Sequence, residues 1–415
     1  MKRIIAFCLI FGAFIALASV SSFAVTEKTK SLDYSKYAGT RLHVYNWGEY
    51  ISDGSEGSYD INAAFEELTG IKVIYDTYDS NESMYSIIKG GGASYDIVIP
   101  SDYMIGRMIE EDLLEPIDFS NIPNYRYISD EYRGLDYDPD DTYSVPYTCG
   151  RVGIIYNTTM IDEEDVKDES WSLLWNDKYA GKILQFNNSR DGLATAQFYL
   201  GFDVNSTDTA TWDGALSLLM EQKPMLQGYV MDEIFNKMES GEAAAAPYYI
   251  GDFFTMYWEN EDLAFYHPKE GTNRFFDAIC IPKGSKNKEA AELYINFLLD
   301  PEIALENAEF ICYETPNSAV IENPDYIEFL EEEMHEDAYE LLYGESLADI
   351  PTQVFDNLDS ETTAYQNACW EKLKTQDGGT STVIYVICGV IIAIIIAVFV
   401  YQGVIKYKRR ITYLN

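Results

Sequence analysis

The stretch Leu42-His43-Val44-Tyr45-Asn46-Trp47-Gly48-Glu49-Tyr50 decides the reading of this chain. Residues 42–45 have the composition of a buried strand, and the residues after them form a polar, aromatic turn. Trp47, Glu49 and Tyr50 are thereby collected at the carboxyl end of that strand. In open α/β sheets this is where ligands bind. Two aromatic faces beside a carboxylate make a receptor for an organic cation.

Working outward, strand and helix signals alternate, which predicts an α/β fold. Residues 61–68 carry helical apolar spacing and Gly70 follows as a stop. A second strand is expected at 71–75. Asp79 and Glu82 fit a capping box for a helix over 83–89, closed by Gly90, Gly91 and Gly92. Residues 95–100 read as a strand that delivers Ser101, Asp102 and Tyr103 at its end, where Ser101 and Asp102 also suit a helix cap. Segments 143–147 and 153–157 bracket a crossover into a second lobe. Residues 170–175 form an aromatic helical segment. A strand over 276–282 returns to the first lobe, and a helix over 290–299 buries Leu293, Phe297 and Leu298. An exported region of about 350 residues calls for two lobes rather than one core.

The ends of the chain have their own chemistry. Residues 1–24 read as a secretory signal: Lys2 and Arg3, an apolar run, then small residues for cleavage. An uncleaved N-terminal anchor is the alternative. Residues 25–40 are a polar lead-in. Residues 383–405 carry no charge and are long enough for one membrane-spanning helix of about 20 residues. Lys406, Lys408, Arg409 and Arg410 follow, so the tail 406–415 is expected in the cytoplasm and the large middle outside. Residues 377–382 read as a short tether.

The chain has 29 Lys and Arg against 69 Asp and Glu, a net charge of −40. Six of those basic residues lie in the two terminal segments, so the exported part is more acidic still. Such a field repels nucleic acid and anionic lipid and attracts cations. Of six cysteines, Cys8 and Cys388 lie in apolar terminal segments. Cys149, Cys280, Cys312 and Cys369 allow three complete pairings and show no metal-type spacing, so free buried thiols are expected. Three histidines without an HExxH spacing, and no GxSxG or phosphate-loop motif, give no basis for an enzyme, a metal site or a cofactor.

Residues 45–50, 79–85, 98–101, 170–175 and 313–317 together resemble the spermidine/putrescine-binding proteins of bacterial ABC importers. The similarity runs from about Leu42 to Lys374. The resemblance implies a two-lobed periplasmic-binding-protein-like (type II) fold with hinge crossovers, lobe one over 41–148, lobe two over 149–276, and a return to lobe one with C-terminal helices over 277–376. It also implies a polyamine ligand and an ABC permease as partners, with a monomeric receptor. Carried over by motif, Trp47, Glu49 and Tyr50 line the first-lobe wall, with Ser101 and Tyr103 on the neighbouring strand end. Asp277 matches an acidic residue of the return strand, and Tyr313 a tyrosine before a Thr-Pro-Asn turn. In lobe two, Asn188 and Asp191 fall where the family carries two acids. Tyr249 and Phe275 stand where tryptophans are usual. Asp252 matches an acid of putrescine-preferring relatives, and Asp356 aligns with a glutamine. A receptor for another organic cation, a sugar or a metal, and a sensor ectodomain, are the alternatives.

Overall fold

The computed structural model describes residues 25–91 and 94–376. The expected signal segment, and the tether, membrane span and basic tail over 377–415, lie outside the described residues. Among the described residues no helix is long and apolar enough to cross a membrane.

Lobe one is built on β1 (Arg41–Trp47), flanked in parallel by β2 (Lys72–Tyr78) and β3 (Ile97–Val98). Leu42 and Val44 are fully buried, as a strand covered on both faces requires. Helix α1 (Ile61–Thr69) is capped by Asp60 and ends at Gly70, whose φ of 71° needs a residue without a Cβ. β3 is shorter than the expected 95–100. Its flanks are held by other bonds: Asp96 N donates to His43 O at 2.8 Å, and Pro100 O accepts from Ala278 N at 3.1 Å.

Helix α2 (Asn81–Gly90) begins two residues before the expected start. Ser80 is the cap and accepts from Ser83 N at 3.2 Å. The capping box of Asp79 and Glu82 does not form, because the Ser80 hydroxyl reaches the free helical N–H first. Asp79 instead accepts from the Ser83 hydroxyl, and Glu82 is left to face another element. Helix α3 (Asp102–Glu110) starts directly after β3.

The two segments expected to bracket a crossover are one strand, β4 (Ser144–Asn157). Residues 144–151 pair antiparallel with β9 (Thr272–Cys280), and 152–157 pair with β7 (Ala245–Tyr249) and β8 (Leu263–Tyr266). Strand order is β2-β1-β3-β9-β4-β7-β5-β6, with β5 (Ile183–Phe186) and β6 (Leu226–Val230) at the far edge and β10 (Thr352–Gln353) on β9. β4 and β9 are therefore the two crossovers between lobes. Arg151 on β4 and Arg274 on β9 share the buried Glu314 there, at 2.6 and 3.2 Å.

Lobe two carries α4 (Ser189–Leu200), α5 (Thr209–Gln222), α6 (Glu233–Glu239) and α7 (Ile250–Glu259). Trp171 opens a short 3-10 turn over Trp171–Trp175, and its indole N–H donates to Gly271 O at 2.8 Å. After β9 the chain forms α8 (Lys288–Leu298) and α9 (Pro301–Ile311). Phe65 of α1 meets Tyr294 and Phe297 of α8 at ring distances of 4.9 and 5.3 Å.

The last described helix, α10 (Ser360–Thr375), corrects the expected domain plan. It does not stay with lobe one. Cys369 and Leu373 pack with Leu193 of α4 and with Trp212 and Leu216 of α5, so its apolar positions are buried on lobe two. Cys149, Cys280, Cys312 and Cys369 are all free and buried.

Candidate functional site

A cleft of about 800 Å³, continuous with solvent, lies between the lobes. From lobe one it receives the end of β1 and the first turns of α2 and α3. From lobe two it receives the first turns of α4 and α7. Seven acidic side chains and nine aromatic ones line it, and among the described residues no Lys, Arg or His does.

The aromatic wall is fixed by its own hydrogen bonds. The Trp47 indole N–H and the Tyr78 hydroxyl both donate to Ile99 O, at 2.9 and 2.6 Å, and the two rings are 4.6 Å apart. Tyr50 donates to Asp277 Oδ2 at 2.7 Å and also bonds Thr148 of β4. Tyr313 packs edge-on against Tyr50 at 5.2 Å. Its ring lies over Gly251, where a Cβ would come within 2.3 Å of it. Phe275 and Tyr249 meet edge-on at 5.4 Å.

The acids are placed by helix starts. Glu82, Asp102, Asp191 and Asp252 each stand in the first turn of α2, α3, α4 and α7. A carboxylate there complements the helix dipole and is held in place by local donors. Asp102 accepts from Tyr103 N at 2.7 Å and from Phe276 N at 3.0 Å. Asp191 accepts from the Tyr249 hydroxyl and the Asn188 amide, both at 2.8 Å. Glu82 accepts from the Tyr103 hydroxyl at 2.9 Å. Asp277 is 4% exposed, and its Oδ1 has no hydrogen-bond partner.

Burial dominates the electrostatics. It pushes Asp191 and Asp277 up to about 6, opposed at Asp191 by Tyr249 and Asn188 and at Asp277 by the nearby Ser101 and Tyr50 hydroxyls. Asp252 is pushed up to about 7 by burial, opposed by a hydrogen bond with Tyr313 and reinforced by Asp232 and Glu49. Burial also holds Asp102 well above the usual carboxylate range. Several carboxyl groups so raised, with no basic side chain lining the cleft among the described residues, form a site suited to cationic groups. Among the described residues no group of three or more His, Cys, Asp or Glu is arranged to hold a metal ion.

The structure brings eleven of the thirteen sequence-predicted residues to this cleft: Trp47, Tyr50, Ser101, Tyr103, Asn188, Asp191, Tyr249, Asp252, Phe275, Asp277 and Tyr313. Glu49 and Asp356 do not line it. Glu49 is exposed, in a left-handed conformation with φ of 52°. That sharp turn lets Trp47 and Tyr50 both reach the wall while Glu49 stays at the surface. Asp356 is exposed, and it is its backbone that is engaged, with Arg190 and Asn205. The neighbouring Phe355 lines the cleft instead, with the Arg190 guanidinium 4.5 Å from its ring centroid.

Among the residues lining the cleft, Tyr78, Tyr248, Asn81, Asn273 and Asp232 are not among the sequence candidates, nor are Asp79, Glu82 and Asp102, which the sequence reading places in the 79–85 motif and at the strand end before a helix. Glu82 and Asp79 lay inside the quoted 79–85 motif, which was the available signal. Nothing in the sequence marks Asn273 or Asp232.

Residues 60–330 match the family described as bacterial extracellular solute-binding protein. The spermidine/putrescine-binding periplasmic protein of Salmonella typhimurium is 36% identical over 279 residues, covering 67% of this chain and 78% of its own. The putrescine-binding periplasmic protein PotF of Escherichia coli is 30% identical over 328 residues, 75% of this chain and 84% of its own. A solved structure of a putative spermidine/putrescine ABC transporter from Listeria monocytogenes superposes with a TM-score of 0.73 at 37% identity, covering 81% of this chain and 99% of that one. With the family matched over residues 60–330 and relatives at 36% and 30% identity, the chain belongs to the bacterial extracellular solute-binding proteins.

Proposed function

We propose that this chain is an extracytoplasmic receptor for a polyamine of the spermidine and putrescine type, and that it delivers the ligand to an ABC permease. It binds and releases; it is not an enzyme. One observation carries the reading: seven acids and nine aromatics line the cleft, and among the described residues no basic side chain does. The names of the relatives at 36% and 30% identity support the same ligand class.

A polyamine presents ammonium groups separated by methylenes. Each dehydrated ammonium needs strong acceptors, and a charge-assisted hydrogen bond contributes about 1.5–3 kcal/mol. Each buried methylene adds about 0.8 kcal/mol. An aromatic face under a cation adds about 0.5–2 kcal/mol. Asp191 and Asp277 supply acceptors from opposite lobes, and Trp47, Tyr103 and Tyr249 supply flat walls. Ligand held by both lobes favours the closed arrangement through contacts that an open one lacks.

Titration calorimetry of the full chain in mild detergent with putrescine, spermidine and spermine tests this. Micromolar or tighter binding of one of them is expected. Absence of heat with all three at two temperatures rejects the polyamine reading.

The segment 383–405 anchors the receptor beside its permease and raises its effective concentration there. Removing 383–415 should therefore lower uptake at limiting polyamine. Unchanged uptake would exclude the tether.

A further inference from the structure

β9 presents Asn273, Phe275 and Asp277 to the cleft in alternation, with Arg274 and Phe276 on the other face. Asn273 and Asp277 are 3% and 4% exposed. Asn273 Oδ1 and Asp277 Oδ1 are both buried without a hydrogen-bond partner. Orphaned buried acceptors are uncommon in folded proteins and mark places where a donor is missing. Here two of them flank one aromatic face on a single strand.

Their spacing can be compared with ligand length. Four residues of strand advance about 13 Å, and the side chains stand roughly perpendicular to the sheet. With C–C and C–N bonds of about 1.5 Å, an extended alkyl chain advances about 1.25 Å per bond. The five bonds between the nitrogens of a four-carbon diamine cover about 6 Å, and the nine between the terminal nitrogens of spermidine about 11 Å. Hydrogen bonds of about 2.8 Å at each end bring the diamine to about 12 Å only if both are collinear with it. A ligand lying on the Phe275 wall must bend those bonds toward the strand, so a diamine reaches one acceptor and a triamine reaches both.

The Asn273 end is also walled. Asn273 is the register partner of Gln353 on β10, and Phe355, two residues further on, lines the cleft. Gln353 Oε1 is committed to Val204 N at 3.1 Å. The Asn273 carbonyl is thus a buried acceptor that faces the cleft beside Phe355.

We infer that Asn273 is the length-determining anchor of the cleft, gripping the far ammonium of a triamine whose other end is held by Asp277, so that spermidine is preferred over putrescine. This rests on the polyamine reading above.

The test is calorimetry of the full chain in detergent with spermidine and with putrescine, for the wild type, Asn273→Val and Asn273→Asp, with a thermal melt of each. The wild type should bind spermidine about tenfold tighter or more, the worth of one charge-assisted hydrogen bond. Asn273→Val should weaken spermidine by about tenfold and putrescine by less than about twofold. Should Asn273→Val fail to fold, Asn273→Asp decides: it should tighten spermidine and leave putrescine unchanged. Equal wild-type affinities, an equal loss of both ligands in Asn273→Val, or no selective effect in Asn273→Asp overturns the inference while leaving a polyamine receptor intact. A wild type that binds neither ligand overturns both.

Discussion

The Tyr50 hydroxyl donates to Asp277 Oδ2 at 2.7 Å, tying the turn after β1 to the strand that returns from lobe two. The bond occupies one carboxylate oxygen and leaves the other, Oδ1, buried and unpartnered in the cleft. Tyr50 also bonds Thr148, so both crossover strands are gripped by one phenol. Asp277 is therefore oriented before any ligand arrives, which reduces the ordering cost of binding.

Asp277→Asn should separate binding from folding. The amide keeps an acceptor but loses the charge, so polyamine affinity should fall about 10- to 100-fold. The melting temperature of the empty protein should hold or rise, because a buried carboxylate without a counter-charge is removed. Calorimetry and a thermal melt of the same preparation check both; unchanged affinity would remove Asp277 from the site.

The cleft acids make a pH dependence whose sign differs between the empty and filled protein. Asp191 and Asp277 are raised to about 6 and Asp252 to about 7, from an ordinary value of 3.8. Raised folded values contribute stability to the empty protein that is full below 3.8 and lost as pH climbs through 6 to 7. From these groups the empty protein should gain melting temperature between about pH 8 and about pH 5, while polyamine affinity should fall over the same interval. Binding near pH 6 should release protons, visible as a calorimetric heat that varies with buffer ionisation enthalpy. A heat independent of buffer would contradict it.

Gly251→Ala tests the seat of Tyr313. A Cβ there would lie 2.3 Å from the ring, which cannot retreat without disturbing Tyr50 and Phe275 behind it. Overpacking of this kind costs about 1–3 kcal/mol. Urea denaturation should show that loss, together with weaker ligand binding. A variant with wild-type stability would mean that the ring moves freely.

Glu314→Gln should act on the crossovers. Glu314 is 3% exposed and is the shared counter-charge of Arg151 and Arg274. The substitution leaves two guanidinium groups without their counter-charge at a largely buried point, a loss of about 3–5 kcal/mol. Denaturant unfolding measures it. A loss under about 1 kcal/mol would show that water reaches the pair and screens it.

Much of this was legible in the chain itself. The apolar run of β1, the Gly70 stop and the alternation of strand and helix signals are local, because strand and helix periods and a left-handed cap are written in neighbouring residues. The motif around Trp47 and Tyr50 was legible for the same reason, since a strand end and its turn are contiguous. The four free thiols also follow from residue type, as isolated cysteines are small apolar side chains that bury well.

The tertiary structure decided what depends on two distant segments meeting. Glu82 reads as a capping residue until Tyr103 of α3 is placed against it. Phe355 rather than Asp356 lines the cleft because the chain beyond β10 is held by the bonds of the Asp356 backbone to Arg190 and Asn205, residues distant in sequence. Asn273 is an ordinary strand residue in sequence; only burial beside an unfilled space leaves its oxygen without a donor. Helix α10 has weak amphipathic patterning of its own and finds its place on lobe two through Trp212 and Leu193. Sequence alone set the elements and the charge of the site, because these are properties of neighbours along the chain. Which carboxylates converge on the cleft was decided by the passage of β4 and β9 between the lobes, because that meeting is a property of the fold.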